Sequence, residues 1–343
     1  MNKQVKIDGF AFVEFVSPQP TELIELFEHI GFHLKGKSPH GMFLMTQGEA
    51  SFIVNGNPNA FLEQHGASVR AIGIRVDNAE LALEQAMSGG AKKALSDGEG
   101  AFAVDTPAIL GIGNSLVYFI DTNFLENFSL PVEARNAPEG DASIIAIDHT
   151  SNIVHPENLD RWADFYRDTF SFEEKQYLEV KGHMSGMRAR SMVSPCGRVS
   201  IPVAAAAHDQ PGVLNQNDEF IRDYGGEGIQ HIALSTSDIE DTIRKLGAAG
   251  IEFMPAPPQN YYDGVDARLP GHDVDIKRLA ENGILIDGKG PGKILLQRFT
   301  KRQIGPVFFE IIERRGEDGF GEGNFKALFE SQEKDQLRRG TLS

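Results

Sequence analysis

Two histidines and one glutamate lie far apart in the chain, and each sits on an apolar, alternating run that is typical of a β-strand. They are His149 in Ile-Ala-Ile-Asp-His-Thr, His231 in Gly-Ile-Gln-His-Ile-Ala-Leu and Glu310 in Val-Phe-Phe-Glu-Ile-Ile. Two neutral imidazoles and one carboxylate on one face of a metal ion leave three adjacent coordination positions open. Non-haem Fe(II) oxygenases hold a substrate and O₂ together in this way, so the three residues predict oxygen chemistry at a metal.

The two residue types differ in how strongly they indicate a metal. A lone histidine on an apolar face is usually a core residue, whereas burying an unpaired glutamate costs several kcal/mol. For Glu310 the alternative is a structural ion pair with a basic residue elsewhere in the fold. Zinc also stays open, because two histidines and a glutamate can hold catalytic zinc. The sequence has no His-Glu-x-x-His pair and a single cysteine, which makes zinc the weaker alternative.

The composition excludes several classes of partner. A formal net charge of −16 over 343 residues argues against nucleic acid and against anionic membrane surfaces. No apolar run approaches the roughly 18 residues that a membrane span needs, and the first residues do not resemble a signal peptide. The single cysteine, Cys196, excludes an intrachain disulfide and fits a reducing cytoplasm. We interpret Cys196 as an ordinary loop residue.

A faint internal repeat predicts two halves of like architecture. Residues 7–9, 66–72 and 113–118 are echoed by residues 147–149, 226–232 and 305–310. Where the second half has its two histidines and its glutamate, this alignment places Gly9, Ala71 and Tyr118 in the first half. None of these three first-half residues is a histidine or a carboxylate. The comparison therefore predicts one metal-bearing half and one metal-free half. The boundary should lie in the polar stretch 133–141, between a domain of residues 1–138 and a domain of residues 139–343.

Each half alternates strands and helices in a way that favours an α+β fold with a curved mixed sheet. Alternation along a strand should place residues two apart on one face. The apolar partners expected beside the candidate ligands are therefore Ile145 and Ile147, Ile229 and Ala233, and Phe308 and Ile312. Apolar periodicity predicts helices over residues 21–29, 78–87, 159–170, 239–246 and 324–338.

The C-terminal third resembles the 4-hydroxyphenylpyruvate dioxygenases. The likeness rests on Phe-Phe-Glu-Ile-Ile-Glu-Arg-Arg-Gly at 308–316 and on Gly-Phe-Gly-Glu-Gly-Asn-Phe-Lys-Ala-Leu-Phe-Glu at 319–330. Residues 226–233, 261–262, 268–270 and 285–287 are similar to further signatures of that family. The likeness covers nearly the whole chain, and the C-terminal motif is shared with hydroxymandelate synthase.

The resemblance implies two vicinal-oxygen-chelate domains of βαβββ repeats that form half-barrels, with a C-terminal helix closing the active site. It implies Fe(II) on His149, His231 and Glu310, and conversion of 4-hydroxyphenylpyruvate and O₂ to homogentisate and CO₂ in tyrosine and phenylalanine catabolism. It also implies a cytoplasmic homo-oligomer, a dimer or a tetramer. Because the substrate carries its own 2-oxo acid, no 2-oxoglutarate is needed.

The same resemblance implies a substrate pocket, lined by Gln230, Gln297, Phe299, Phe308, Phe325 and Phe329. Ala189 and Ala204 stand where the family usually carries polar residues that contact the substrate. A pocket without those groups discriminates less well for a hydroxyl. Formation of hydroxymandelate, or use of another 2-oxo acid, therefore stays open. From a different class of function, a ligand-binding module without chemistry also stays open.

Overall fold

The chain, seen in a computed structural model, is described here for residues 4–95, 102–132, 143–181, 186–207, 215–325 and 340. Its strands form two eight-stranded mixed sheets. The first sheet comprises β1 (Ile7–Val16), β2 (His33–Lys37), β3 (Phe43–Gln47), β4 (Ala50–Asn55), β5 (Ser68–Val76), β6 (Lys92–Lys93), β7 (Ala108–Leu110) and β8 (Leu116–Ile120). Its strand order is β2-β3-β4-β1-β5-β8-β7-β6.

The second sheet repeats this arrangement strand for strand. It comprises β9 (Ile144–Ile153), β10 (Glu173–Lys181), β11 (Gly186–Val193), β12 (Ser200–Ala207), β13 (Gly228–Thr236), β14 (Leu285–Gly290), β15 (Lys293–Phe299) and β16 (Phe308–Arg315). Its order is β10-β11-β12-β9-β13-β16-β15-β14, the first order with eight added to every number. The predicted α+β repeat is therefore confirmed. The predicted boundary after residue 138 falls among residues 133–142, outside the described residues, and stays a prediction.

Most helices of the described part pack on the main hydrophobic core, whereas Ala60–His65 and Gln216–Tyr224 pack in a separate cluster that includes Ala189 and Ala204. The helices span Pro20–His29, Ala60–His65, Ala79–Ser88, Leu159–Phe170, Gln216–Tyr224, Ile239–Ala248, Gln259–Asp263, Val265–Arg268 and Ile276–Asn282, with short 3₁₀ turns at Ile112–Asn114, Phe124–Phe128 and Pro156–Asn158. The four predicted helices before residue 300 are confirmed to within two residues at each end. Of the fifth, residues 322–325 are helical, and the remainder lies outside the described residues.

Local sequence explains where these helices start and which face they bury. Asn78 and Asp238 cap two of the helices, each accepting a hydrogen bond from the backbone N–H three residues on. Leu159–Phe170 buries Trp162, Tyr166 and Phe170 at helical spacing and packs them on its sheet.

One strand is anchored from both halves. Phe309 on β16 packs its ring against Phe15, Phe27 and Phe52 of the first half, with ring centroids 6.0–6.3 Å apart. Successive strand residues point to opposite faces, so the next residue, Glu310, points away from this aromatic cluster and into the second sheet's concave side. The cluster thus holds the strand that carries the candidate carboxylate ligand.

Candidate metal centre

The three predicted ligands converge on the concave side of the second sheet. His149 on β9, His231 on β13 and Glu310 on β16 are 3%, 7% and 1% exposed. Nε2 of His149 lies 3.2 Å from Oε2 of Glu310, and Nε2 of His231 lies 3.5 Å from the same oxygen. One ligand atom from each residue lies within 4.8 Å of the other two. Three strands that are far apart in sequence thus build one buried cluster of two imidazoles and a carboxylate.

A β-bulge precedes each histidine. Between β9 and β13, Ala233 faces His149 but the next residue, Leu234, faces Ile147, so Asp148 is the extra residue. Likewise Ile229 faces Asn152 and His231 faces Ser151, so Gln230 is extra on β13. Bulges often re-aim side chains beside active sites. Here each bulge turns its histidine towards Glu310.

These bulges correct the predicted strand faces. Ile147 and Ile229 both pack in the main hydrophobic core, so they do not share a side with the histidines. Ile145 is 46% exposed and lines neither side of the core. On β16, where the pairing with β13 has no register shift, Phe308 and Ile312 keep the predicted face beside Glu310.

Each bulge residue also contacts the ring of its histidine. Oδ1 of Asp148 lies 2.8 Å from Nδ1 of His149, and Oε1 of Gln230 lies 3.4 Å from Nδ1 of His231. An acceptor at Nδ1 holds the proton on that nitrogen and leaves Nε2, the atom that faces Glu310, free to bind a metal. The sequence reasoning missed this role for Asp148, although the adjacent Asp-His pair was its signal.

Arg314 holds Asp148 in place. Its guanidinium donates to both carboxylate oxygens of Asp148, at 2.7 and 2.9 Å, and also to the backbone carbonyls of Glu317 and Gly319. Burial raises the pKa of Asp148, but the hydrogen bonds and charges of Arg314 and His149 outweigh it and hold that pKa well below its usual range. Arg314 thus pairs with Asp148, whereas Glu310 contacts the two histidines and Gln297.

The three side chains of the cluster shift one another's pKa values. Burial opposes the charged forms of His149 and Glu310, but their mutual attraction prevails. With help from Asp148, it raises the pKa of His149 to about 9 and, together with His231, lowers the pKa of Glu310 to about 2. Burial lowers the pKa of His231, and its contact with Glu310 only partly opposes this. These shifts favour a protonated His149 beside an ionised Glu310 in the metal-free protein at neutral pH.

Most of the predicted pocket residues form two apolar groups, and Gln297 makes a polar contact with Glu310. Phe299 and Phe308 lie beside His231, with ring centroids 6.3 and 4.9 Å from the imidazole. Ala189 and Ala204 face each other across β11 and β12, and Phe325 packs against the same cluster. Gln297 donates to Glu310 at 2.8 Å. Phe329 lies outside the described residues.

A large open cavity lies next to this cluster without including it. It has a volume of about 1190 Å³ and is lined by Asp148, Leu295, Arg314 and Phe320 among others, but not by the three candidate ligands. The ring of Phe320 lies 5.7 Å from that of His149, edge to face. Phe320 therefore lines the cavity and also contacts a residue of the candidate metal centre.

The first half fills the equivalent space with aromatic rings, which corrects one position of the sequence alignment. Ala71 and Tyr118 do match His231 and Glu310 in strand register, but Phe12, opposite Gly73, matches His149, opposite Ala233. A side chain on Gly73 would meet the Phe12 ring at 2.6 Å. Phe12 and Tyr118 pack together at 5.5 Å.

Two further features concern the single cysteine and the helices. Cys196 is exposed and free, as expected for a loop cysteine. None of the described helices is long and apolar enough to span a membrane.

Similarity to known proteins extends over nearly the whole chain. A model of the hydroxyphenylpyruvate dioxygenase N-terminal domain matches residues 1–133, and a model of the glyoxalase/bleomycin resistance protein/dioxygenase superfamily matches residues 146–273. The chain is 43% identical to "Hemolysin VllY" of Vibrio vulnificus, covering 98% of this chain and 97% of that protein. It is 42% identical to 4-hydroxyphenylpyruvate dioxygenase of Pseudomonas aeruginosa, covering 98% and 96%.

A solved structure also matches. It is a mutant of 4-hydroxymandelate synthase from Streptomyces coelicolor, with a TM-score of 0.79 and 23% identity, covering 96% of this chain and 99% of that one. A likeness at this identity shows a common fold.

Proposed function

Since the chain belongs to the 4-hydroxyphenylpyruvate dioxygenase family, we propose that it converts 4-hydroxyphenylpyruvate and O₂ to homogentisate and CO₂. One oxygen atom enters the carboxylate that remains after CO₂ is lost, the other enters the ring, and the side chain moves to the neighbouring ring carbon. The observation that carries the proposal is the buried cluster of His149, His231 and Glu310 at the point where three strands meet.

The donor set of this cluster fits Fe(II). Ligand atoms on adjacent positions of one ion, with bonds of about 2.1 Å, stand roughly 3 Å apart. The two histidine nitrogens lie 3.2 and 3.5 Å from the Glu310 oxygen, close to that separation. Bound Fe(II) would supply three open positions at which a 2-oxo acid and O₂ can be brought together.

The surrounding residues hold the ligands and exclude water. Asp148 orients His149, and Gln297 takes up the second oxygen of Glu310, so that its Oε2 faces the histidines. Phe299 and Phe308 cover His231 with apolar surface. An aromatic substrate ring would pack against such walls, and a dry site protects a reactive oxidant from side reactions.

Substrate preference is the part of the proposal that depends on Ala189 and Ala204. Both are buried and neither side chain can form a hydrogen bond. We infer that the reacting end of the substrate is selected by the metal centre, while discrimination for the 4-hydroxyl is weaker than a polar pocket would give.

The test measures O₂ uptake, CO₂ release and product by mass spectrometry, using the anaerobically Fe(II)-loaded protein. We expect 4-hydroxyphenylpyruvate to be converted to homogentisate, and phenylpyruvate to be accepted as well. Hydroxymandelate as the product, or turnover of aliphatic 2-oxo acids alone, would refute the proposed reaction while keeping the metal centre. Tight ligand binding without O₂ uptake would indicate a binding protein instead.

We also propose that the protein works in the cytoplasm as a homo-oligomer, a dimer or a tetramer. The free thiol of Cys196 supports a reducing compartment. Light scattering coupled to size-exclusion chromatography measures the oligomeric state directly, and a monomer at micromolar concentration would contradict this proposal.

A further inference from the structure

A chain of four hydrogen bonds runs from a backbone amide to the carboxylate of Glu310. The N–H of Ile286 donates to the hydroxyl of Tyr261 at 2.8 Å. That hydroxyl lies 2.6 Å from Oδ1 of Asn324 and 2.9 Å from the carbonyl oxygen of Ile286, which already accepts from Arg268. We assign its one hydrogen to the shorter contact, with Asn324. Nδ2 of Asn324 donates to Oε1 of Gln297 at 2.7 Å, and Nε2 of Gln297 donates to Oε1 of Glu310 at 2.8 Å. Every donor points the same way, towards the candidate metal ligand.

The two ends of the chain set the orientation of each amide. Both hydrogens of the Gln297 amide face acceptors, the Glu310 carboxylate and, at 3.5 Å, the carbonyl of Phe320. The reverse orientation would place the amide oxygen against these two oxygens. Oε1 of Gln297 therefore needs a donor on its other side, and Asn324 provides it. Asn324 and Gln297 are 1% and 3% exposed, so no bulk water replaces a lost partner.

Asn324 belongs to residues 320–325, here called the C-terminal segment, which approach Gln297 closely. It lies in the helical residues 322–325, just after Gly321. Gly321 has a φ of +73°, and a side chain there would meet Oε1 of Gln297 at 2.4 Å. Only glycine allows the segment to dock near enough for the Asn324 bond to form.

We propose that Asn324 is a positioning residue. It fixes the amide of Gln297, and through it the rotamer of Glu310, so that docking of the C-terminal segment and the geometry of the metal centre depend on each other. This inference rests on the proposed function only in taking Glu310 as a metal ligand. By linkage, a metal that needs one rotamer of Glu310 favours the docked segment, and the docked segment favours the metal.

Three variants separate the bonds that Asn324 makes. Asn324→Asp keeps the acceptor for Tyr261 but loses the donor to Gln297, whereas Asn324→Leu loses both. Tyr261→Phe removes only the far end of the chain. Asn59→Asp is the matched control, because Asn59 is a buried helix cap in the first half and an aspartate can still cap that helix.

The readouts are the dissociation constant and the visible absorption spectrum of bound Co(II), measured at 10 °C, with thermal unfolding recorded separately. Loss of an outer-shell partner typically weakens metal affinity 10- to 100-fold. We expect Asn324→Asp and Asn324→Leu to weaken Co(II) binding about tenfold and to change its spectrum. The Tyr261→Phe variant should lie between them and the wild type, and Asn59→Asp should match the wild type. If the aspartate variant fails to fold, the leucine and Tyr261→Phe variants carry the test.

The outcomes distinguish this inference from the proposed function. Variants at Asn324 that unfold at lower temperature but bind Co(II) with unchanged affinity and spectrum would show a purely structural role and overturn the inference alone. A wild-type protein that binds no Co(II) at the cluster would overturn both. Normal dioxygenase turnover by the wild type is expected in the first case, where only the inference is wrong.

Discussion

Raising the pH should strengthen metal binding to this protein, because His149 must lose a proton before its Nε2 can bind a metal. In the metal-free protein, Glu310 and Asp148 overcome the effect of burial and raise the pKa of His149 to about 9. The proton and the metal therefore compete for one nitrogen. Below that pKa the proton is bound, and apparent metal affinity falls.

The magnitude follows from the number of groups that titrate. Burial keeps His231 neutral by lowering its pKa, and Glu310, with a pKa of about 2, stays ionised. His149 alone then changes its protonation between pH 6.5 and 8.0, where its deprotonated fraction grows tenfold per pH unit. Over 1.5 units we expect affinity to rise about 30-fold, or roughly 2 kcal/mol, with one proton released per metal ion.

Isothermal titration with Co(II) in buffers of different ionisation enthalpy measures both quantities. A matched variant is Asp148→Asn, which removes a charge that supports the protonated imidazole and should make the pH dependence shallower. Affinity that is constant from pH 6.5 to 8.0, or binding without proton release, would show that His149 is neutral in the metal-free protein and that the reasoning is wrong.

Three further outcomes test the rest of the structure. Glu310→Ala should abolish metal retention and turnover while circular dichroism stays native, because one of three ligands is lost; full turnover by this variant would remove Glu310 from the ligand set. Phe309→Ala should lower the free energy of unfolding by about 3–5 kcal/mol in urea titrations, since its ring fills a core shared by both halves; a loss below 1 kcal/mol would contradict that packing. In the metal-free protein, the stability that comes from the raised pKa of His149 is complete below pH 6.5 and is lost as the pH rises through 9. The denaturation midpoint should fall over that interval, and a midpoint that rises would contradict the sign.

The residue types and their spacing were enough to identify the site and the architecture. A glutamate in Val-Phe-Phe-Glu-Ile-Ile must be buried and must find a partner, and two histidines on separate strand-like runs were the natural candidates. The internal repeat predicted two sheets of one topology, which the strand orders confirm. These inferences succeed because the cost of burying a carboxylate and the order of strands and helices can both be read from the chain itself.

The register between strands could not be predicted from the sequence. Aligning Ile7-Asp8-Gly9 with Ile147-Asp148-His149 is natural by sequence, yet pairing between strands matches His149 with Phe12. The bulges at Asp148 and Gln230 likewise leave no mark in the hydrophobic pattern. A bulge depends on how many residues face the partner strand, and only the partner strand decides that.

Residue types alone predicted which three side chains would meet in a buried cluster and which half would lack them, because histidine and glutamate are recognisable in an apolar strand. The polar contacts behind this cluster appeared only in the folded protein, where Arg314 binds Asp148 and Asn324 binds Gln297. Such outer contacts join residues 27 and 166 positions apart. Arg314 and Asn324 are ordinary polar side chains in the sequence. Their roles depend on the partners to which they donate hydrogen bonds in the folded protein.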